Sequence, residues 1–263
     1  FFVLSGFLIT TLLLEEADHT GTISLRRFYT RRAWRLLPSL YTLLAIVLVL
    51  SVIAAFVNSE VDLGLIIRQD IVPAGLYYYN FANPLGYPGE GVLLFQMWSL
   101  SLEEQFYIVG ALIVLLMVRT RRFVAGAVVL TAIAILIEIA RGRGDLGALN
   151  FWLQRPDALL MGVVGALVSS RIPADLSDRT RRWMRGAGWA ALGVMLLTWS
   201  LSMESVRKLN WFFVPYTPDP PEGLSDQAVF RFVLDELPNG NYWVRWGYTV
   251  TIWTTVILVI VLA

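Results

Sequence analysis

The sequence contains no cysteine and a single histidine, and its basic residues are arginines apart from one lysine. Without cysteine the chain forms neither disulfides nor thiolate metal sites. Charge is also scarce, because charged residues make up 16% of the chain and the formal net charge is +1. That balance argues against a nucleic-acid partner, which would require a strongly basic face. What remains is apolar: 57% of the residues are hydrophobic and the mean hydropathy is +0.63, which is typical of a membrane protein.

Long apolar runs recur along the chain, and a helix needs about 20 such residues to cross the hydrocarbon of a bilayer. The candidate spans are 1–14, 37–57, 100–118, 123–140, 150–170, 186–203 and 243–263. We therefore predict an all-α fold, a polytopic transmembrane helical bundle of about seven spans that forms one domain over 1–263. The first run is short and the last has no polar cap, so we interpret the chain as a fragment truncated at both ends.

Arginines are concentrated in three connections between these runs, and positive residues accumulate in short cytoplasmic loops. The basic connections carry Arg26, Arg27, Arg31, Arg32 and Arg35, then Arg119, Arg121 and Arg122, then Arg171, Arg179, Arg181, Arg182 and Arg185. Alternating spans place all three connections on one side, which we predict to be cytoplasmic. Segments 58–99, 141–149 and 204–242 would then face outward.

Residues 61–82 are apolar, but polar residues and a proline interrupt them. The interruptions are Arg68, Gln69, Asp70 and Pro73. A further span here would reverse the orientation of everything downstream and spoil the arginine pattern. We therefore predict an interfacial or re-entrant helix on the outer side, whose backbone is satisfied by protein or water. The tyrosines that follow would lie at headgroup depth; they are Tyr77, Tyr78 and Tyr79.

The stretch WSLSLEEQFY (98–107) places two adjacent carboxylates, Glu103 and Glu104, at the start of a predicted span. One interpretation is a helix cap, in which Ser99 or Ser101 is the N-cap residue and Glu104 completes a capping box. The other is that Glu103 faces a polar interior, because a carboxylate at the bilayer centre costs roughly 2.5–3.5 kcal/mol. Helical spacing places Tyr107 on the face of Glu103. Spacing alone favours the cap.

Two pairs of charged residues have open interpretations as well. Arg32 and Arg35, at helical i,i+3 spacing, either anchor the chain to anionic headgroups or bind phosphate groups through their guanidinium forks. Arg155 and Asp157 lie at the predicted outer mouth of a span, where they pair with other groups or cap the helix.

Small and aromatic residues are expected to serve packing and anchoring. Ser5 with Gly6, and Gly162 with Gly165, favour close approach between membrane helices. Trp98 lies at the predicted outer boundary of its span, where tryptophan is by default an interface anchor.

Four segments, in order along the chain, resemble the membrane-bound acyltransferase-3 family, which includes bacterial O-acetylases of lipopolysaccharide and peptidoglycan. FFVLSGFLIT (1–10) is similar to the second transmembrane helix of that family, and FYTRRAWRLLP (28–38) to its cytoplasmic RxxR element, here Arg32 and Arg35. WSLSLEEQFY is similar to the family signature, in which Glu103 matches a glutamate. RPDALLMGVVGALVS (155–169) resembles a later segment with an Arg-x-Asp head.

The resemblance implies an acyltransferase of the bacterial plasma membrane. Family members move an acyl group, commonly acetyl, from cytoplasmic acyl-CoA to a hydroxyl of a cell-envelope glycan or similar acceptor. Acyl-CoA, with acetyl-CoA as the first choice, is thus the expected donor, and no bound cofactor or metal is expected. The RxxR element would bind acyl-CoA. Glu103 would orient the catalytic histidine, hold a proton or pair with an arginine such as Arg155.

Two parts of the family pattern have no match in the sequence. The essential histidine of the family lies on a helix upstream of residue 1, whereas His19 lies in a polar loop without a paired base or nucleophile. The closing Gly-x-x-Ser-Tyr helix, with a second histidine, is also unmatched. The first helix and the C-terminal helices would therefore be missing, and we expect the fragment alone to be inactive.

Functions from other classes remain open at the level of sequence. In a transporter or channel, the acids and arginines would line a polar path without covalent chemistry. A degenerate family member would act only as a scaffold. A histidine on the upstream helix would favour the enzyme over both. The acceptor is not evident from 58–99 or 204–242, where aromatic residues fit interfacial anchors as well as sugar stacking.

Overall fold

The structure is a computed structural model that describes residues 1–58, 61–82, 93–94, 96–143, 156–173, 175–202 and 242–262. Within these ranges the regular elements are helices and there is no strand, which confirms the all-α prediction. The chain divides into two compact units. Unit 1 comprises Phe1–Thr11 and Phe123–Ala263, and unit 2 comprises Leu12–Arg122.

The helices are numbered along the chain. Helix α1 (Phe2–Thr20) contributes its first half to unit 1 and its second half to unit 2. Unit 2 also contains α2 (Leu25–Val57), α3 (Leu63–Ile66), a π-helical turn (Ile67–Ile71), α4 (Val72–Gly75), α5 (Tyr79–Ala82) and α6 (Met97–Thr120). Unit 1 also contains α7 (Phe123–Arg143), α8 (Pro156–Ser169), α9 (Asp178–Ser202) and α10 (Tyr242–Leu262).

Several of these helices have the length and composition of membrane spans. Among the described residues, α2, α6 and the Phe123–Ala140 part of α7 are long and apolar enough to cross a bilayer, and α8 and α10 contain shorter apolar helices. They confirm a polytopic helical membrane protein. The count of about seven spans stays a prediction.

Helix α2 is longer than predicted. It begins at Leu25 rather than near residue 37, so the first arginine group lies on a helix and not in a loop. The Ser24 hydroxyl caps it by accepting a hydrogen bond from the Arg27 amide at 3.4 Å. Its 33 residues rise about 50 Å, compared with about 30 Å of hydrocarbon. The arginine-bearing turns therefore extend beyond the apolar part of the helix.

A proline lies inside α2 without ending it. Pro38 lacks the N–H that would continue the helical hydrogen bonds. The Thr42 hydroxyl donates to the Pro38 carbonyl at 2.7 Å, and the Ser39 hydroxyl donates to the Leu36 carbonyl at 2.9 Å. Serine and threonine hydroxyls commonly donate in this way to carbonyls of the preceding helical turn. Pro38 is thus an interior residue, not the entry to a new helix.

Most of segment 61–82 is helical, as predicted. The helix α3, the π-helical turn and α4 follow one another without a break from Leu63 to Gly75, and the short α5 comes after a turn. Asp62 caps α3 by accepting a hydrogen bond from the Leu65 amide at 2.9 Å, and Pro73 lies at the start of α4. Between α4 and α5 the backbone of Tyr77 has a φ of 55°, in the left-handed region. These pieces are too short to cross a bilayer, in agreement with the prediction that the segment does not span.

The core of unit 2 lies where α2 meets the short helices. Leu40 and Leu44 of α2 form a buried cluster with Ala74, Tyr79 and Leu94, each at most 6% exposed. Close-packed contacts of this kind gain dispersion energy over many atom pairs. The cluster therefore fixes the irregular segment against a regular helix.

Helices α1 and α8 cross at close range in unit 1. A Cβ added to Gly6 would lie closer to the Leu159 carbonyl oxygen than the 3.0 Å that real Cβ atoms keep, and one added to Gly162 would do the same at Val3. This confirms that Gly6 and Gly162 serve close helix approach.

The neighbouring small residues differ. A Cβ added to Gly165 would meet the Phe7 ring at 3.6 Å, an ordinary contact, so the same prediction for Gly165 is wrong. Ser5, adjacent to Gly6, is half-buried, and its packing role stays a prediction.

Helix ends gather at one side of unit 1. The Arg171 guanidinium, just after α8, lies 4.5 Å from the ring centroid of Phe123 at the start of α7. Ser169 at the end of α8, Arg181 near the start of α9 and Ile260 near the end of α10 line a common cavity. The third arginine group therefore lies at the end of unit 1 where α7 begins, as alternating spans require.

Gly162→Ala is expected to destabilise the protein, because the new methyl group would overlap the Val3 carbonyl at the α1–α8 crossing. Overpacking of this kind costs about 1–3 kcal/mol, which should lower the Tm measured in detergent. Gly186→Ala in α9 is the matched control, since a Cβ there meets nothing within 4 Å and alanine favours the helix. Equal Tm values for the two variants would contradict the close crossing.

Candidate functional site

The WSLSLEEQFY stretch lies in the first turns of α6, and its hydroxyl groups do not form the predicted cap. Helix α6 begins at Met97, and the side chain of Gln96 at the N-cap position makes no capping hydrogen bond. The Ser99 hydroxyl donates to the Gln96 carbonyl at 3.0 Å. The Ser101 hydroxyl accepts a hydrogen bond from the Tyr79 amide at 3.3 Å. The capping-box interpretation is therefore wrong.

Glu104 instead forms an ion pair with Arg32 of α2. Arg32 Nη2 lies 2.6 Å from Glu104 Oε1, and Arg32 Nε lies 3.0 and 3.1 Å from the two carboxylate oxygens. The two side chains are 21% and 15% exposed, so water screens the pair weakly. Bidentate arginine–carboxylate contacts are among the stronger hydrogen bonds in proteins. This contact joins α2 to α6.

Glu103 faces the interior of unit 2 together with Tyr107, as helical spacing predicts. The Tyr107 hydroxyl donates to Glu103 Oε2 at 3.2 Å, and the two residues are 3% and 5% exposed. The guanidinium carbon of Arg32 lies 3.4 Å from the centroid of the Tyr107 ring, in cation–π geometry. Tyr107 thus contacts Glu103 through its hydroxyl and the cation that neutralises Glu104 through its ring.

Gln105 connects α6 to the short helices. Its Nε2 donates to the Tyr77 carbonyl at 2.7 Å and to Asn80 Oδ1 at 2.8 Å, and its Oε1 accepts from Asn80 Nδ2 at 3.2 Å. The left-handed backbone of Tyr77 costs roughly 1–3 kcal/mol for such a residue and persists only where the surroundings hold it. The Gln105 amide supplies part of that restraint.

Asp70 is the centre of a second polar cluster. It is 0% exposed, and its carboxylate accepts hydrogen bonds from the Tyr79 hydroxyl at 2.6 Å and from the Leu93 and Leu94 amides at 2.9 and 3.0 Å. These donors compensate for the cost of burying the carboxylate. In the sequence Asp70 only interrupts an apolar run; in the structure it fixes the chain that leads into α6.

Tyr79, which was predicted as an interface anchor, is instead part of the core, whereas the anchor role of Trp98 stays a prediction. Tyr79 is 0% exposed, and Trp98 is half-buried against the cluster that contains Leu40 and Leu44. Tyr77 is half-buried, and this burial, together with the negative charge of Glu104, raises its pKa above the usual 10.0. Its phenol is therefore neutral at physiological pH and adds no charge beside the ion pair.

The arginines at the start of α2 have different surroundings. Arg32 is paired with Glu104, whereas Arg35 is exposed, so the structure does not bring these two side chains to a common partner. Arg31 forms a 3.2 Å ion pair with Glu16 and is 60% exposed. Two further members of the group are exposed; they are Arg26 and Arg27.

His19 lies exposed in the last turn of α1, so the prediction that it lies in a loop is wrong. In the part of the chain that the structure describes, no three acidic or histidine side chains gather in a way that could hold a metal ion.

The site residues predicted in unit 1 are described only in part. Asp157 is 0% exposed in the first turn of α8, where the positive end of the helix dipole favours a carboxylate. Its predicted companion Arg155 lies outside the described residues. A role for Arg155 therefore stays a prediction.

Sequence reasoning missed one buried acid in unit 1. Glu138 of α7 is 5% exposed, and its Oε2 accepts a hydrogen bond from the indole N–H of Trp253 in α10 at 3.4 Å. A signal was available, because Glu138 is the one charged residue in the apolar run 123–140. Ionisable residues inside membrane helices usually face protein or a polar cavity.

The acyltransferase-3 family model, which describes an acyltransferase domain, matches residues 1–263, and the chain therefore belongs to this family of acyltransferases. The match confirms the resemblance drawn from the four sequence segments.

Individual relatives are named as O-acetyltransferases. A Staphylococcus aureus COL protein with that provisional name is 34% identical over 180 residues, which cover 64% of this chain and 29% of the relative. Peptidoglycan O-acetyltransferase OatA of Listeria monocytogenes is 34% identical over 118 residues, 41% of this chain and 18% of the relative. O-acetyltransferase OatA of S. aureus NCTC 8325 is 29% identical over 179 residues, with shares of 64% and 29%.

The matched region spans less than a third of the length of these relatives. No solved structure matches the chain.

Arg32→Ala and Glu104→Ala are each expected to lower the free energy of unfolding by about 2 kcal/mol, because each leaves a charge without its partner in a largely buried place. The double variant should lose less than the sum of the two. Arg31→Ala is the matched control, since its exposed pair with Glu16 should contribute less than about 1 kcal/mol. Denaturant titration in detergent measures all four variants, and strictly additive losses would contradict the Arg32–Glu104 pair.

Tyr79→Phe removes the hydroxyl that donates to Asp70 and should cost about 1.5–3 kcal/mol, the usual range for a hydrogen bond to a charged group. We also expect faster hydrogen exchange at the Leu93 and Leu94 amides, which share this carboxylate. Tyr78→Phe is the control, because the Tyr78 hydroxyl makes no hydrogen bond to a described residue. Equal hydrogen-exchange rates at the Leu93 and Leu94 amides in the two variants would contradict a coupling of these amides to the Tyr79 hydroxyl through Asp70.

Proposed function

We propose that this chain is part of a membrane O-acetyltransferase that uses cytoplasmic acyl-CoA, with acetyl-CoA as the first choice, and a hydroxyl acceptor of the cell envelope. The reaction breaks the thioester C–S bond, forms an ester C–O bond, and moves the hydroxyl proton to the departing thiolate. Membership of the acyltransferase-3 family and the O-acetyltransferase names of the relatives support this class of reaction. The name of the Listeria relative favours a glycan such as peptidoglycan as the acceptor.

The observation that carries the proposal is the position of the arginines on α2. The first turns of α2 carry exposed guanidinium groups. We assign these turns to the cytoplasmic surface of the membrane, because the helix is longer than the hydrocarbon is thick. Coenzyme A carries several phosphate groups, and the planar fork of arginine matches phosphate oxygens better than lysine does. Acyl-CoA, which arrives from water, would contact these arginines before it reached the membrane-spanning part of the helices.

The two arginines of the RxxR element have different surroundings, and we therefore assign them different roles. Arg32 is already neutralised by Glu104, and it positions the start of α2 against α6. Arg35 is exposed, so we assign direct phosphate contact to Arg35. The proposed donor site therefore depends on Arg35 for binding and on the Arg32–Glu104 pair for its geometry.

Glu103 supports the reaction from the protein interior. Its burial and its hydrogen bond from Tyr107 hold the carboxylate in a fixed direction. In that place it can hold a proton or orient the histidine that the family pattern places on an upstream helix. We assign it a positioning role.

Arg35→Ala in the complete protein, reconstituted in vesicles, is expected to raise the KM for acetyl-CoA about tenfold or more, because a charge-assisted contact to phosphate is lost. The kcat and the free energy of unfolding should change little. Arg122→Ala is the matched control, since Arg122 is an exposed arginine of the same unit that lies outside the RxxR element.

The readout is alkali-labile acetate on the glycan acceptor, which also separates covalent transfer from transport. If Arg35→Ala left the KM unchanged but disturbed membrane insertion, the arginine would be a topological anchor and the donor site would lie elsewhere. An Arg35→Lys variant should recover part of the lost affinity, because lysine keeps the charge but not the fork.

A further inference from the structure

Unit 1 contains a cavity that the proposed acyl transfer does not use. It has a volume of about 440 Å³ and lies where the end of α8, the start of α9 and the end of α10 come together. Its polar side is formed by Arg181, Arg185 and Ser169, and apolar lining comes from Met184, Ile260 and Val261, among others. One part of the cavity wall is thus cationic and another part is apolar.

The two arginines have charge available for a ligand. They lie four residues apart on one face of α9, and both residues line the cavity. Neither forms an ion pair with another residue that the structure describes, and the described lining contains no acidic side chain. Two adjacent cations without a counter-ion favour an anionic ligand.

The apolar wall is built by close packing of α9 on α10. A Cβ added to Gly188 would approach Val261 Cγ1 at 3.0 Å, so the helices meet one turn beyond Arg185. This contact places the end of α10 directly beside the arginines. An anion bound here would therefore touch hydrocarbon on its other side.

The cavity lies at the level where a membrane surface is expected. Helix α9 changes from an arginine-rich start to an apolar remainder at about residue 186. Trp183 and Trp189 flank that change and are 71% and 74% exposed, as is usual for tryptophan at headgroup depth. Basic pockets between membrane helices on the cytoplasmic side are suited to anionic lipid headgroups.

We propose that this cavity binds an anionic phospholipid, with the headgroup phosphate between Arg181 and Arg185 and the first part of an acyl chain against Met184, Ile260 and Val261. The mixed lining is the reason to choose a lipid over a free phosphate or a nucleotide. A soluble anion would leave the apolar side unused. The site is independent of the proposed acetyl transfer, since it shares no residue with α2 or α6.

Native mass spectrometry of the complete protein, released from phosphatidylcholine nanodiscs doped with phosphatidylglycerol, tests the proposal. The parent protein should retain phosphatidylglycerol in preference to phosphatidylcholine. Arg181→Ala/Arg185→Ala should weaken that retention about tenfold or more, because the phosphate loses the charge-assisted contacts of both arginines. Arg179→Ala/Arg182→Ala is the matched control, since it removes the same charge from the same helix outside the cavity, and it should retain the lipid.

A second variant keeps the test decisive if the double alanine variant does not fold. Arg185→Gln preserves a long polar side chain and should weaken retention about fivefold. Added phosphatidylglycerol should also raise the Tm of the parent protein and of the control, but not that of the cavity variants.

Three results would overturn the proposal. Equal weakening in the cavity and control variants would mean that general surface charge attracts the lipid. Equal retention of phosphatidylcholine and phosphatidylglycerol would show that the cavity does not recognise an anion. Displacement of the lipid by adenosine 3′,5′-bisphosphate, a soluble anion without an acyl chain, would assign the cavity to a water-soluble phosphate compound.

Discussion

A charge that is largely withdrawn from water must have a partner, and the Arg32–Glu104 ion pair meets this requirement in unit 2. It joins two helices through residues 72 positions apart in the chain. Replacing either partner would leave the other charge poorly solvated, so the two helices have a defined register. The Tyr107 ring lies against the Arg32 guanidinium, and its hydroxyl donates a hydrogen bond to Glu103. Tyr107 thereby connects the second carboxylate of α6 to the ion pair.

The irregular backbone of 61–82 is subject to the same requirement. A chain that leaves the helical pattern in an apolar setting exposes N–H and C=O groups, which have to be satisfied by other parts of the protein. Asp70 collects two backbone amides and one hydroxyl, and Gln105 donates to the Tyr77 carbonyl. The polar residues of the α6 signature and of this segment therefore hold the turn after α4 and the stretch before α6 in place beside regular helices.

Hydropathy and arginine spacing predicted the helical class and most of the apolar runs, because both depend on properties that act locally. They did not predict the extension of α2 to Leu25, since a helix that leaves the hydrocarbon can continue through polar sequence. They also assigned Glu104 to a helix cap. A capping box and a tertiary ion pair require the same residue types, and only the position of Arg32 in space distinguishes them. Glu103, by contrast, was placed correctly, because its contact with Tyr107 is local to one helix.

Counting arginines predicts topology, but the contacts of each guanidinium decide its chemistry. Arg32 is neutralised by a carboxylate, Arg171 stacks on an aromatic ring, and Arg35 is exposed. Arg181 and Arg185 share a cavity that has an apolar wall. A positive-inside count gives all five the same weight, because it measures only charge near the membrane surface. An arginine that contacts neither a carboxylate nor an aromatic ring remains free to bind an anionic ligand. For this reason the donor site is proposed on Arg35 and the lipid site on Arg181 and Arg185, and neither is proposed on Arg32.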